Sequence, residues 1–208
     1  MIIEYILCGL TAYLLGTIPW ALILVKLFSK KDILSEGSGN VGAMNSYEIT
    51  GKKWLGILVF FLDALKGIAA IIITRFIADY DFTATIVAIT MVVLGHNFNV
   101  FLKFKGGRGL STGFGAALMV NPLLVIVWGI LWLLGYLIIK RNVHIANITA
   151  IILTPITFLL LPESIVDNFY LVPIVNTYEL IAFISFPSLL FLIRHIKPLM
   201  DLMKKNSN

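Results

Sequence analysis

Six apolar runs, each about as long as a bilayer is thick, restrict this chain more than any other feature. They are Tyr5–Leu27, Trp54–Ile77, Phe82–Leu102, Leu123–Ile139, Ile145–Leu161 and Tyr170–Ile193. A transmembrane helix needs ~20 mainly apolar residues. A seventh run, Leu110–Val120, reaches about half that length and ends at Asn121-Pro122. Of the 208 residues, 59% are apolar and 13% charged, against ~25% charged in a soluble domain. A water-soluble fold is excluded, and the expectation is an all-α polytopic membrane protein. The first run is longer than a signal-peptide core of ~7–15 residues and reads as a retained helix.

Charge sets the topology. If Leu110–Val120 crosses, the chain has seven transmembrane helices, its N-terminus outside and its C-terminus cytoplasmic. The inner segments then carry Lys26, Lys30, Lys31, Lys52, Lys53, Lys103, Lys105, Arg108, Lys140, Arg141, Arg194, Lys197, Lys204 and Lys205, which is 14 of the 16 cations. Arg75 stays outside and Lys66 lies within the second run. Without that crossing Lys140 and Arg141 move outside, so the positive-inside bias selects seven helices. The net charge of +5 therefore reports membrane orientation, not nucleic-acid binding. The single Cys8 lies in an apolar run and reads as a small core residue. No internal repeat of the kind transporters show is visible.

Two glycine-rich stretches fall on the inner face in this topology. Gly37-Ser-Gly-Asn-Val-Gly-Ala-Met-Asn45 offers three glycines, a serine and two asparagines, within a polar loop expected over Asp32–Lys53. Lys103–Gly115 combines glycines with Lys103, Lys105, Arg108, Ser111 and Thr112. Glycine lets backbone N–H groups approach a ligand, and cations beside a helix start suit an oxyanion. The pair reads as a phosphate site built from Ser38, Gly39, Asn40, Asn45, Lys105, Gly106, Gly107, Arg108 and Gly109.

Asp63 and Lys66, at i and i+3, share a helix face inside the membrane. They read as a structural ion pair that fixes helix packing. His96 reads as a scaffold residue at a helix end and His144 as an interfacial one. His195 sits in a basic helix end. The three histidines have no thiolate or carboxylate at ligand spacing, so no metal and no cofactor is expected. Neither a Ser-His-Asp order nor a G-x-S-x-G elbow is present, and no H-x4-D pair occurs.

At these loops the sequence resembles the bacterial acyl-phosphate:glycerol-3-phosphate acyltransferases, the PlsY-type membrane enzymes, over nearly the whole chain. Residues 37–45 look like GSGNxGATN, Asp63-Ala-Leu-Lys-Gly67 like DxxKG, and residues 95–112 like GHxFPxFLxFKGGKGVAT. The resemblance implies a single acyltransferase domain over residues 1–208, in a bacterial inner membrane, with its active site facing the cytoplasm. It implies acyl transfer from acyl phosphate to the 1-hydroxyl of sn-glycerol 3-phosphate, giving lysophosphatidic acid. Ser38 and His195 are then the expected catalytic residues, His195 falling on the His of a C-terminal H-x-x-N. The chain departs from the family pattern at Leu34, Met44, Glu48, Arg108, His144, Asn147 and Pro198. Leu34 and Glu48 stand where arginines are usual, His144 and Asn147 where serines are, and Pro198 in place of the last Asn. A relative of altered specificity, or one that binds lipid phosphate without turnover, is the alternative.

Overall fold

The computed structural model describes residues 1–79, 81–173 and 176–207, apart from the side chains of 203 and 205–207. Lys205, counted above among the inner cations, thus has its side chain outside the described residues, and so does the 174–175 step of the last apolar run. Every regular element in the described residues is helical. Five spans are long and apolar enough to cross a membrane, Ile2–Ser29 counted as one, and Phe82–Asn97 and Leu110–Val120 are shorter apolar helices. Apolar side chains face outward while polar ones are hidden: Phe76 is 87% exposed and Asp63 only 2%. That inversion is what lipid, rather than water, allows.

The chain forms two compact units, Met1–Ala116 and the residues from Ala117 onward. In the first, the run expected as one helix is two: α1 (Ile2–Gly16) and α2 (Trp20–Ser29). Pro19 lacks the N–H needed to continue α1 and sits at the N-cap of α2. The expected loop over Asp32–Lys53 contains a helix, α3 (Ala43–Thr50). Its ends are Gly42, the extended N-cap, and Gly51, a left-handed C-cap at φ +68°. Then follow α4 (Lys53–Ala78) and α5 (Phe82–Asn97), the latter capped by Asp81, whose side chain accepts from the N–H of Ala84 at 2.7 Å. α5 stops before Leu102. A short 3-10 turn, Val100–Leu102, leads toward α6 (Leu110–Val120).

Two helix crossings in this unit depend on glycine. A Cβ on Gly67 of α4 would lie 2.0 Å from the carbonyl oxygen of Thr112 in α6, and one on Gly115 would lie 2.0 Å from that of Ala64. Likewise Gly16 and Gly95 set α1 against α5, each within 2.3 Å of a facing backbone oxygen if given a Cβ. Small residues at such crossings let membrane helices pack backbone to backbone.

In the second unit, α7 (Pro122–Leu134) continues through a π turn, Gly135–Ile139. α8 (Val143–Leu160) follows. The side-chain oxygens of Asn121 and Asn142 cap α7 and α8. α9 (Glu163–Val166) is one turn. α10 (Thr177–Ser207) continues past the Ile193 expected from hydropathy. Its 31 residues span about 46 Å at 1.5 Å each, more than the ~30 Å of hydrocarbon.

Gly67→Ala and Gly115→Ala should each lower the thermal stability of the detergent-solubilised protein, by ~1–3 kcal/mol for an overpacked contact. Gly129→Ala, at a site with open space around it, should leave the melting temperature unchanged or slightly raised.

Candidate functional site

The two glycine-rich stretches meet. The backbone N–H of Val41 donates to the carbonyl of Gly106 at 3.3 Å. A Cβ on Gly107 would lie 2.7 Å from the carbonyl oxygen of Val41 and 1.9 Å from His96 Nε2. Only a glycine fits at that junction.

The first stretch is folded around Asn45, which is 1% exposed. Its Oδ1 accepts from the N–H of Ser38 at 3.0 Å. Its Nδ2 faces the carbonyls of Asn40, Glu36 and Ile33 at 3.0, 3.3 and 3.4 Å. Gly37 and Gly39 turn left-handed at φ +61° and +68°, and a Cβ on Gly37 would strike Asn45 Oδ1. The amide of Asn45 is thus engaged within the loop, and the residue orders the loop from inside. The Ser38 side chain is exposed and Asn40 is half-buried. Leu34, at a position the resemblance gives to arginine, packs on the apolar cluster of Ala21, Leu24, Val25 and Ile33.

The second stretch turns back on itself. Asn99 and Lys105 form an isolated antiparallel bridge. The N–H of Phe104 donates to the Asn99 carbonyl at 2.8 Å, and the N–H of Gly107 to that of His96 at 3.0 Å. Lys103 and Phe104 both lie at positive φ, and Gly109 at φ +79°. The carbonyl of Gly109 receives the N–H of Gly113, which starts α6. Lys105 is exposed, Arg108 half-buried, and Gly106, Gly107 and Gly109 are buried. The N–H groups of Gly39 and Gly107 are used on protein carbonyls, so these glycines contribute shape. Thr112 is buried and Ser111 half-buried.

Beneath the junction lies a buried polar node. Lys66 Nζ is 2.9 Å from Asp63 Oδ1. It also donates to the carbonyls of Gly16 and Ile18 at 3.1 and 3.0 Å, at the α1–α2 break. The same ammonium is 3.0 Å from His96 Nδ1. An ammonium has only donors, so Nδ1 accepts and the ring proton sits on Nε2, the atom packed against Gly107. Asn99 closes the other side of the break, its Nδ2 donating to the carbonyl of Thr17 at 2.6 Å. Asp63, Lys66 and His96 are thus brought together beside the α1–α2 break.

His195 belongs to the second unit and is fully buried on α10. Its ring nitrogens lie 3.3 Å from Asn147 Nδ2 and 2.7 Å from the carbonyl oxygen of Phe191. The backbone N–H of His144 donates to Asn142 in the α8 cap. Glu48 is exposed on α3. Lys52, four residues further on, is bound to the carbonyl of Phe28, and Lys31 to that of Ile49 beside Glu48.

Residues 6–205 match the family model described as glycerol-3-phosphate acyltransferase. Among curated relatives, the glycerol-3-phosphate acyltransferase of Pelagibacter ubique is 37% identical over 81% of this chain and 85% of its own. That of Aster yellows witches'-broom phytoplasma is 33% identical over 99% and 96%. The chain is also similar to crystal structures of PlsY, an integral membrane glycerol 3-phosphate acyltransferase. Its glycerol 3-phosphate form matches with a TM-score of 0.76 at 31% identity, over 97% of this chain and 92% of that one. Its lysophosphatidic acid form matches with the same score at 30% identity.

Lys66→Met strands Asp63 in the interior and should cost ~3–5 kcal/mol of stability, the usual penalty for halving a buried pair. Adding Asp63→Asn should recover part of the loss. Unfolding titrations of the three variants in mixed micelles check this.

Proposed function

The chain belongs to the glycerol-3-phosphate acyltransferase family and is an acyltransferase of phospholipid biosynthesis, embedded in a membrane; from that premise we propose its donor, its site and its orientation. The donor is acyl phosphate, and the acceptor is the 1-hydroxyl of sn-glycerol 3-phosphate. The hydroxyl oxygen bonds to the acyl carbon, the bond from that carbon to the phosphate oxygen breaks, and lysophosphatidic acid forms. In the overall balance the hydroxyl proton leaves with inorganic phosphate. A mixed anhydride is already activated, so the protein needs no covalent nucleophile. Positioning and charge stabilisation carry the rate.

The observation that supports this site most is the joining of the two glycine-rich stretches at Val41 and Gly106. Around that junction Ser38, Asn40, Lys105 and Arg108 supply donors to the phosphates. Gly39, Gly106, Gly107, Gly109 and Asn45 set the shape. Arg108 replaces a lysine of the resembled motif and presents a planar fork to an oxyanion. Ser38, whose N–H is pinned by Asn45, places its hydroxyl for the phosphate or the attacking oxygen. For His195 the catalytic role rests on the C-terminal motif. The transfer reading is favoured over a non-catalytic phosphate binder by the shared activity of the relatives.

The five long spans, with Phe82–Asn97 and Leu110–Val120, make seven crossings in this reading. The N-terminus is outside, and the C-terminus and the site face the cytoplasm of a bacterial inner membrane. The family match over 6–205 supports one acyltransferase domain over residues 1–208. Charge placement favours this orientation.

Purified protein supplied with palmitoyl phosphate and glycerol 3-phosphate should release lysophosphatidic acid and phosphate. Arg108→Ala should lower kcat/KM by ~10- to 150-fold, the equivalent of ~1.5–3 kcal/mol for a hydrogen bond to a charged group. Arg108→Lys should lose less. Product formation at the wild-type rate by Arg108→Ala would reject the assignment.

A further inference from the structure

The second unit holds a hydrogen-bond chain around His195 whose other members have no part in the site above. Trp132 Nε1 on α7 donates to Asn147 Oδ1 on α8 at 2.8 Å. Asn147 Nδ2 faces His195 Nε2 on α10 at 3.3 Å. His195 Nδ1 lies 2.7 Å from the carbonyl oxygen of Phe191, one turn back on the same helix. Asn147 is 6% exposed and His195 0%, so water does not compete for these bonds.

The chemistry of the two ends fixes every proton between them. An indole N–H can only donate, so the amide turns its oxygen toward Trp132. The amide nitrogen can only donate, so His195 Nε2 accepts. A carbonyl can only accept, so His195 Nδ1 carries the ring proton. Both directions of reasoning give the same tautomer. The relay thereby decides which ring nitrogen keeps a lone pair, and that is Nε2.

This geometry also joins two departures that look independent in the sequence. In an H-x-x-N pattern on a helix, the Asn lies at i+3, on the face of the His. Here that position is Pro198, which has no amide to offer. Asn147, at a position where serine is usual, brings an amide to His195 from α8 instead.

We propose that Asn147 is a positioning residue for His195. Oriented by Trp132, it holds the ring as the Nδ1–H tautomer and replaces from α8 the asparagine missing at position 198. The proposal rests on the reading that His195 serves acyl transfer.

The test has a spectroscopic arm and a kinetic arm. The full-length protein, labelled with nitrogen-15 in its histidines, is placed in lipid nanodiscs, and long-range proton–nitrogen spectra of the rings are recorded. The His195 signals are those lost in His195→Gln. Wild type should show a protonated Nδ1 and an unprotonated Nε2. Trp132→Phe should shift the Nε2 signal, because the amide is then free to turn, while Nδ1 stays protonated on the Phe191 carbonyl. Asn147→Ser should lower kcat at least tenfold at unchanged KM for glycerol 3-phosphate, and Asn147→Ser/Pro198→Asn should regain at least half of the lost rate. A protonated Nε2 in wild type, or ring signals unmoved by Trp132→Phe, would overturn the relay. A double variant no faster than Asn147→Ser would overturn the replacement of position 198. The expected ring signals together with full activity in His195→Gln would instead remove His195 from the reaction, and with it the positioning role.

Discussion

One ammonium group holds the first unit together. Lys66 reaches Asp63, two carbonyls at the α1–α2 break and His96. A buried charge is costly in lipid and persists where it is neutralised and hydrogen-bonded. Here it also satisfies backbone oxygens that the end of α1 leaves without helical partners. The same group orients His96, and the ring of His96 is the floor on which Gly107 rests. A chain of contacts thus runs from a broken helix in the membrane to the backbone of the loops above it.

The loops are shaped more by absent side chains than by present ones. Gly107 and Gly37 have no room for a methyl group, and Asn45 uses its amide on the backbone around it. Outward on them lie Ser38, Lys103 and Lys105, beside the exposed apolar Met44 and Phe104. A pre-shaped, donor-bearing surface suits an acyl phosphate, whose reaction asks for alignment of two charged substrates rather than for a nucleophile. Close glycine crossings between α4 and α6 keep the start of α6 fixed beside this surface.

Much of the helical layout was legible in the sequence because membrane helices advertise themselves by length. The loop pair was legible from glycines alternating with donors. The α1–α2 break was missed because the apolar run continues through it, although Pro19 was the signal. The helix Ala43–Thr50 was missed because Gly42 and Gly51 read as loop residues when they are its two caps. Asn45 reads from sequence both as a phosphate contact and as a residue shaping the loop, and the pattern alone does not reveal that its amide meets the backbone of Ser38 and Asn40. The link between Asn147 and His195 crosses 48 positions and leaves no local pattern to read.

The central claim is that the two glycine-rich stretches act as one anion site. Hydrogen exchange of the full chain in nanodiscs, with and without glycerol 3-phosphate, tests it most directly. Slowed exchange in both 37–42 and 105–109 on adding the ligand is the predicted result. Protection of one stretch alone, or of neither under conditions where the substrate is turned over, would contradict it.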